Sequence, residues 1–232
     1  PGNVFLATNM WDNASAISNE GIEFEAQYDV IRKKNWNWSV GFNLSHNKNM
    51  LRKTYNGEDL NDKVLGRPVY GIYTFKDDGI VQKEEDIPMY PNASGKQIPL
   101  YFQSINNPLR VGGRKIKDQN YDGVIDDKDL YYAGSTLPAV YGGLNSHLEW
   151  KGLSFDVLFS YTISRKVMNM YKNSAFTFTK DFGVIMNYFH AGDFWTTSNR
   201  DAKYPSLEFA DKDYVGQFDG NVDSNIENIS FL

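Results

Sequence analysis

Four segments of the chain alternate apolar and polar residues with a period of two, which is the pattern of β-strands that have two different faces. They span residues 22–30, 36–46, 139–150 and 153–162. Only a few residues separate the first from the second and the third from the fourth, so each pair predicts a β-hairpin. A further strand is predicted to begin near residues 226–232.

The two faces of the second segment differ in more than polarity. Its polar positions are all small residues or amides, which is unusual for a face that only meets bulk water. The apolar positions are Trp36, Trp38, Val40, Phe42 and Leu44, and the polar positions are Asn37, Ser39, Gly41, Asn43 and Ser45.

The lengths of the connections also alternate. Short turns fall on one side of the predicted strands, and the long loops 47–138 and 163–225 fall on the other. Trp36, Trp38 and Trp150 lie beside the short turns, where an interfacial aromatic girdle would place them. The pattern predicts an all-β fold, a portion of an antiparallel up-and-down transmembrane β-barrel with long extracellular loops. Four or five strands cannot close a barrel, so the barrel is expected to be incomplete.

Composition excludes several classes of protein. The chain has 232 residues, a formal net charge of -5 and no cysteine. The negative charge argues against nucleic-acid binding, and the lack of cysteine excludes disulfides, thiolate metal sites and thiol nucleophiles. No stretch is long and apolar enough for a transmembrane helix. Residues Pro1–Leu6 lack a basic segment followed by an apolar core, so no signal peptide is expected there.

The alternation alone leaves a second fold open. A soluble, secreted β-sandwich, stabilised by calcium and binding carbohydrate, would also alternate between a core face and a solvent face. It accounts less well for the small and amide residues of the polar faces and for a loop of about ninety residues, which is uncommon in a compact domain.

Residues 118–129 match the twelve-residue calcium-binding loop. Gly123 supplies the sharp turn and Ile125 is the expected inward apolar anchor. The flanking residues are extended rather than helical, so we expect a structural Ca²⁺ ion that stabilises a long loop, with a metal-free Asp/Asn-rich turn as the alternative. The predicted ligands are Asp118, Asn120, Asp122, the carbonyl of Val124, Asp126 and Asp129.

Other chemistry is not indicated. His46, His147 and His190 lack metal-ligand spacing, and Glu84-Glu85-Asp86 is more typical of a solvated loop than of a glycosidase carboxylate pair. Neither a nucleophile elbow nor a phosphate-binding loop occurs. We therefore predict no catalytic residues, no organic cofactor site and no enzymatic activity.

The long loops contain many aromatic residues among amides and carboxylates. This composition suits the binding of sugars or peptides, although each aromatic residue could equally pack the loops against one another. The residues are Tyr70, Tyr73, Phe75, Tyr90, Tyr101, Phe102, Phe189, Phe194, Trp195 and Tyr204.

Several motifs, in their order along the chain, resemble the late barrel strands of SusC/RagA-type TonB-dependent outer-membrane transporters. They include Asn19 to Phe24, Trp36 to Asn43, Gly66 to Tyr73 with Asp78 to Gln82, Lys117 to Asp126, and Gly134 to Gly143 followed by Lys151 to Asp156. The last residues, Ile226 to Leu232, are similar to the start of another barrel strand.

The resemblance implies a C-terminal barrel portion of an energy-coupled importer of oligosaccharides or peptides in the outer membrane of a Gram-negative bacterium. A SusD-like surface lipoprotein would close over the barrel, the long loops would line part of the ligand chamber, and the strands would contact outer-membrane lipid. Energy would come from TonB through a plug domain that this chain lacks.

Overall fold

A computed structural model describes residues 15–59, 63–182, 185, 187–190, 192–210, 216–218 and 220–230. The expectation about Pro1–Leu6 and the last two residues of the strand predicted near 226–232 lie outside the described residues. One α-helix, α1, spans Met170–Phe182. The strands are β1 (Ala16–Lys33), β2 (Trp36–Lys53), β3 (Gly71–Thr74), β4 (Asp77–Ile80), β5 (Met89–Pro91), β6 (Gln97–Pro99), β7 (Tyr101–Phe102), β8 (Arg114–Ile116), β9 (Val124–Ile125), β10 (Tyr131–Ser135), β11 (Val140–Trp150), β12 (Leu153–Ile163), β13 (Lys166–Met168) and β14 (Ile226–Asn228).

The chain divides into two compact units. The first comprises residues 1–71, 135–165 and 229–232, and the second comprises 72–134 and 166–228. The first unit is built on an antiparallel sheet in the order β1-β2-β11-β12. The second is formed by the two predicted long loops, which contain short strands and α1 and have a core of their own.

The four-stranded sheet contains both predicted hairpins, side by side. Trp36 lies opposite Trp150, and the pairing of β2 with β11 continues to Val140 opposite His46. Both strands are longer than the alternation predicted: β1 begins earlier, at Ala16, and β2 ends later, at Lys53. In the turn after β11, Lys151 and Gly152 have φ angles of 47° and 86°. This is the left-handed geometry of the tight turns that match the twist of a hairpin.

None of the described residues covers the apolar face of this sheet. Phe24, Phe155 and Phe159 are 55%, 65% and 57% exposed. A β-sandwich would bury this face against a second sheet, so the sandwich alternative is not supported. Ten residues separate Trp36 from His46, about 33 Å of strand, which corresponds to about 25 Å along the membrane normal at the ~40° tilt of barrel strands. That height matches the apolar band of outer-membrane barrels.

Aromatic side chains on this face contact one another across the strands. The ring centroids of Trp36 and Trp150 are 5.6 Å apart, and Phe42 stacks on Tyr161 at 6.1 Å. The Tyr161 hydroxyl also donates to the carbonyl of Asn43 at 2.9 Å. Gly142 makes room for this arrangement, because a Cβ atom there would lie 2.6 Å from the Tyr161 hydroxyl.

The second unit has two clusters of buried apolar residues. The first cluster joins both long loops, because Val222 packs with Val81 and Leu100. The second cluster is aromatic and surrounds Phe176 of α1. The remaining members are Ile87, Phe102, Leu109, Ile116 and Ile125 in the first cluster, and Ala175, Phe189, Phe194, Phe209 and Phe218 in the second.

No helix among the described residues combines the length and the apolar character needed to cross a membrane.

The two faces of β12 are expected to meet different environments, which neighbouring cysteine substitutions can test. The chain has no cysteine, so Phe159→Cys and Ser160→Cys each provide one labelling site. After labelling with an environment-sensitive fluorophore and reconstitution into vesicles of brominated phosphatidylcholine, the label at position 159 should be strongly quenched and the label at 160 should not. Equal quenching at both positions would contradict a lipid-facing apolar face.

Candidate functional site

The predicted calcium loop is closed by hydrogen bonds from its own backbone to two buried carboxylates. Asp118 accepts from the N–H groups of Tyr121 (2.6 Å) and Gly123 (2.8 Å). Asp129 accepts from Gln119 (2.7 Å) and Asp126 (3.0 Å) and is fully buried. These bonds fold the segment into consecutive tight turns, because aspartate side chains mimic the backbone of a turn.

Two sequence expectations about this loop agree with the structure. Gly123 has a φ angle of 84°, and a Cβ atom there would lie 2.9 Å from the ring of Tyr90. Ile125 is 2% exposed and belongs to the first apolar cluster. β9 also pairs in parallel with β7, so the loop is attached to the core of the second unit.

Burial raises the pKa of two side chains at the loop, those of Asp129 and Tyr90. Burial raises the pKa of Asp129, and the nearby carboxylate of Asp118 raises it further, while the backbone N–H groups of Asp126 and Gln119 oppose this shift. Burial and a hydrogen bond to Asp118 raise the pKa of Tyr90 to about 12. No cationic side chain of the described residues pairs with Asp118 or Asp129, so two neighbouring carboxylates share a buried site with only dipolar partners.

The other predicted ligands lie at the surface of the loop. Asn120 donates to Asp122 at 2.9 Å, Asp122 accepts from the Val124 N–H at 3.0 Å, and Asp126 accepts from Lys128 N–H at 2.8 Å. Carboxylate and amide oxygens are chemically suited to Ca²⁺. However, no group of three or more His, Asp or Glu residues in the described part of the chain is arranged as a metal cage. Calcium binding therefore stays a prediction.

A second polar cluster joins the two long loops inside the second unit. Arg114 donates to Asp77 at 2.6 Å, and both side chains are nearly buried. The Arg114 guanidinium also lies 5.3 Å from the centroid of the Phe176 ring. Its backbone N–H donates to Gln217, a fully buried residue that in turn donates to Asn107 at 2.9 Å. An unpaired buried guanidinium would be strongly destabilising, so these partners are needed together.

Asp223 is the acceptor at the other end of this cluster. It accepts from Lys76 Nζ (2.6 Å), from the Tyr131 hydroxyl (2.7 Å) and from the Asp77 N–H (2.9 Å). Burial alone would raise the pKa of Asp223, but these three hydrogen bonds more than offset it and the pKa is lowered. Burial and the bond to Asp223 raise the pKa of Tyr131 to about 12.

Most of the loop aromatics pack rather than line a surface. Phe102, Phe189, Phe194 and Trp195 are buried, and of the ten aromatic residues considered from the sequence only Tyr70 is exposed. Among the half-buried ones, Phe75, Tyr90 and Tyr204 contact the two apolar clusters, and Tyr73 contacts Tyr132. The packing alternative therefore applies to nearly all of them.

The remaining candidates are not brought together. His46 contacts the carbonyl of Ala139, while His147 and His190 each pair with a neighbouring aspartate, Asp156 at 2.6 Å and Asp193 at 3.2 Å. Glu84, Glu85 and Asp86 form a short 3-10 turn with no buried residue. None of these groups forms a site with another among the described residues.

A groove on the polar face of the sheet was not foreseen from the sequence. Asn19, Asn47, Asn49 and Tyr141 lie there beside Tyr70. Asn19 is opposite Asn49 in the pairing of β1 with β2, whereas Tyr141 comes from β11. These residues are far apart along the chain and meet only because β2 pairs with both neighbours, so no local motif could indicate them.

The chain is similar in sequence to proteins that are named TonB-dependent receptors. The chain is 27% identical over 198 residues to TonB-dependent receptor P26 of Formosa agariphila, which covers 83% of this chain and 19% of the relative. It is 23% identical over 253 residues to TonB-dependent receptor P39 of the same organism, covering 96% of this chain and 24% of the relative. No family model matches the chain.

Solved structures show the same fold. A structure of the RagAB peptide importer in a closed-closed state aligns with a TM-score of 0.59 at 20% identity, and covers 94% of this chain and 22% of that one. The open-open state gives a TM-score of 0.57 at 19% identity. The predicted resemblance to SusC/RagA-type TonB-dependent transporters and the predicted barrel fold are confirmed, and the chain spans about a fifth to a quarter of the length of these relatives.

Asp223 is expected to stabilise the second unit in a pH-dependent way. Asp223→Asn removes the charge that three donors share, and should lower the unfolding free energy of this unit by about 2 kcal/mol at pH 7. Because the pKa of Asp223 is lowered by folding, its contribution is complete above the unfolded value near 3.8 and is lost as pH falls through the lower folded value.

Pulse proteolysis across a urea series, at pH 7 and near pH 3, measures this effect. The stability advantage of wild type over Asp223→Asn should shrink once the pH falls below 3.8, and so should be smaller near pH 3 than at pH 7. Asp78→Asn is the matched control, since Asp78 forms an exposed pair with Lys115 at 2.7 Å. A control that is as unstable as Asp223→Asn, or an advantage of wild type that is as large near pH 3 as at pH 7, would refute the assignment.

Proposed function

We propose that this protein takes part in TonB-dependent nutrient import across the outer membrane of a Gram-negative bacterium. The observation that carries the proposal is the four-stranded sheet with one exposed apolar face and one polar face, together with its likeness to TonB-dependent receptors. Its relatives are named as receptors and transporters, which favours a non-catalytic role.

The two faces of the sheet would have different roles. The apolar face, with its aromatic pairs, would contact outer-membrane lipid. The polar face would line the lumen, where small and amide residues such as Gly41, Asn43 and Asn145 leave space and offer neutral hydrogen bonds. The side-chain oxygen of Asn145 lies only 2.0 Å from the position that a Cβ atom on Gly41 would occupy.

The second unit would form part of an extracellular chamber for an oligosaccharide or peptide ligand. Its residues belong to the two connections that leave the sheet at the ends of the strands without short turns, and in an outer-membrane barrel such long connections are extracellular. Its apolar clusters and the Arg114–Asp77 pair give these connections a defined structure, and a defined surface is needed for contact with a SusD-like lipoprotein. Energy would reach the barrel from TonB through a plug domain. No nucleic-acid partner is proposed.

Energised uptake is the test of this function. Cells that produce the protein are given two fluorescent probes, a partial hydrolysate of starch and a tryptic digest of casein, with and without a protonophore. We expect accumulation of at least one probe that depends on the protein and disappears when the proton gradient is collapsed. Uptake that persists with the protonophore would indicate a passive pore and contradict the proposal.

We also propose that residues 118–129 bind a structural Ca²⁺ ion. The support is chemical: Asp118 and Asp129 are neighbouring buried carboxylates, and a divalent cation would offset the burial, and the repulsion from Asp118, that raise the pKa of Asp129. Asn120, Asp122, Asp126 and the carbonyl of Val124 would supply the other oxygen donors. A weak site, in the millimolar range of extracellular modules, would suffice to stabilise the loop.

Terbium luminescence can test this site, because Tyr121 lies within the loop and can sensitise a bound Tb³⁺ ion. Asp122→Asn keeps the acceptor for the Val124 N–H and removes one ligand charge, so we expect at least a tenfold loss of Tb³⁺ affinity and of competition by Ca²⁺. Asp127→Asn, an exposed carboxylate at a position that is not a predicted ligand, should behave as wild type. Absence of saturable luminescence, or equal loss in both variants, would remove the assignment.

A further inference from the structure

An open groove of about 430 Å³ lies at the end of the four-stranded sheet that is remote from the short turns. All the residues that line it belong to the first unit. Two tyrosine rings, Tyr70 and Tyr141, are 55% and 42% exposed at its edges. The complete lining is Ile17, Asn19, Asn47, Asn49, Val69, Tyr70, Leu137, Pro138 and Tyr141.

The walls of the groove are fixed by hydrogen bonds. Asn49 donates to Asn19 at 2.7 Å and accepts from the Val69 N–H at 3.0 Å, so one side chain connects β1, β2 and the loop that carries Tyr70. The Tyr70 carbonyl accepts from the Thr136 N–H at 3.1 Å. This bond attaches the loop to the segment before β11. A ligand would therefore meet a preformed surface, which reduces the entropic cost of binding.

Three polar groups in the groove are left for a ligand. The side-chain amide of Asn47 and the phenolic groups of Tyr70 and Tyr141 have no hydrogen-bond partner within the described ranges. Asn47 lies opposite Gly21, which has no side chain to cover it. A tyrosine ring offers both an apolar face and a hydroxyl, and an amide offers both a donor and an acceptor.

The groove also excludes two kinds of ligand. No charged side chain of the described residues lines it, so it offers no partner to a carboxylate, sulfate or ammonium group. A peptide could not add as a new strand to β2 here, because β2 pairs with β1 on one side and with β11 on the other. β2 continues past its last pair with β11. In that part of β2 the Leu51 N–H donates to the Arg67 carbonyl at 3.0 Å, so the edge of β2 is occupied there as well.

From this geometry we infer that the groove is a binding site for an uncharged sugar unit of an oligosaccharide. A pyranose ring stacks its C–H face on a tyrosine ring, and its hydroxyl groups exchange hydrogen bonds with the Asn47 amide and the tyrosine hydroxyls. The inference rests on the proposed function in one respect, namely that the polar face of the sheet lines the import path.

Direct binding to the purified protein in detergent tests the inference separately from transport. The probes are maltohexaose, mannohexaose and xylohexaose as neutral sugars, hexaguluronate as an anionic sugar, and the neutral peptide Ala-Gly-Ala-Gly-Ala-Gly. We expect calorimetry to detect at least one neutral sugar and neither of the other two probes. Tyr70→Ala should weaken the sugar about tenfold, which corresponds to the loss of one aromatic contact.

Two further variants identify the chemistry. Tyr70→Phe keeps the ring and should lose only about threefold of the affinity, consistent with the modest net value of one neutral hydrogen bond. Tyr55→Ala is the matched control, because Tyr55 is 71% exposed on the same connection but does not line the groove. Each variant must retain wild-type far-ultraviolet circular dichroism.

The possible outcomes separate the two proposals. Binding of the peptide or the anionic sugar in preference to the neutral sugars, absence of any sugar binding, or an equal effect of Tyr55→Ala would overturn the groove assignment. Sugar binding that depends on Tyr70 in a protein that shows no energised uptake would leave the groove assignment standing and refute the proposed function. Energised uptake that Tyr70→Ala leaves unchanged, together with no sugar binding to the purified protein, would refute the groove assignment and leave the proposed function standing.

Discussion

The pairing of β2 with β11 is the constraint on which the rest of the structure depends. It places the end of β2 and the beginning of β11 at the same end of the sheet, so residues 54–139 must leave that end and return to it. A connection of this length needs buried surface of its own to adopt one conformation. The chain meets this requirement by packing its two long connections together, with Val222 against Val81 and Phe176 against Arg114.

The strands could be predicted from sequence where the two sides of the sheet meet different solvents. Alternation is sharp between Trp36 and Leu44 because one face is apolar and the other carries amides and small residues. It fails above that band, where Glu20 and Arg52 form an ion pair at 3.2 Å on the same face that is apolar lower down. Both faces mix polar and apolar residues there, so the upper parts of β1 and β2 have no period-two signal although their backbone pairing continues.

The second unit and the groove could not be predicted in the same way. Strands of two or three residues, such as β7 and β9, are too short to show a period, and the burial of Phe102 depends on partners from distant parts of the chain. The calcium motif did predict the turn at Gly123 and the anchor at Ile125. It cannot decide whether Asp118 faces a cation, because the backbone hydrogen bonds that close the loop are compatible with both states.

Electrostatics of the polar face agrees with an uncharged ligand in the groove. Between the groove and the short turns, this face carries five carboxylates on the described strands: Glu23, Glu25, Asp29, Glu149 and Asp156. Few side chains of the described strands pair with them: Arg32 forms an ion pair with Asp29 at 3.0 Å, and the His147 ring contacts Asp156 at 2.6 Å. An excess of negative charge along a confined wall repels anions over a distance of several ångströms. An anionic sugar would meet this repulsion after leaving a groove that offers it no counter-charge, whereas a neutral sugar would meet neither obstacle.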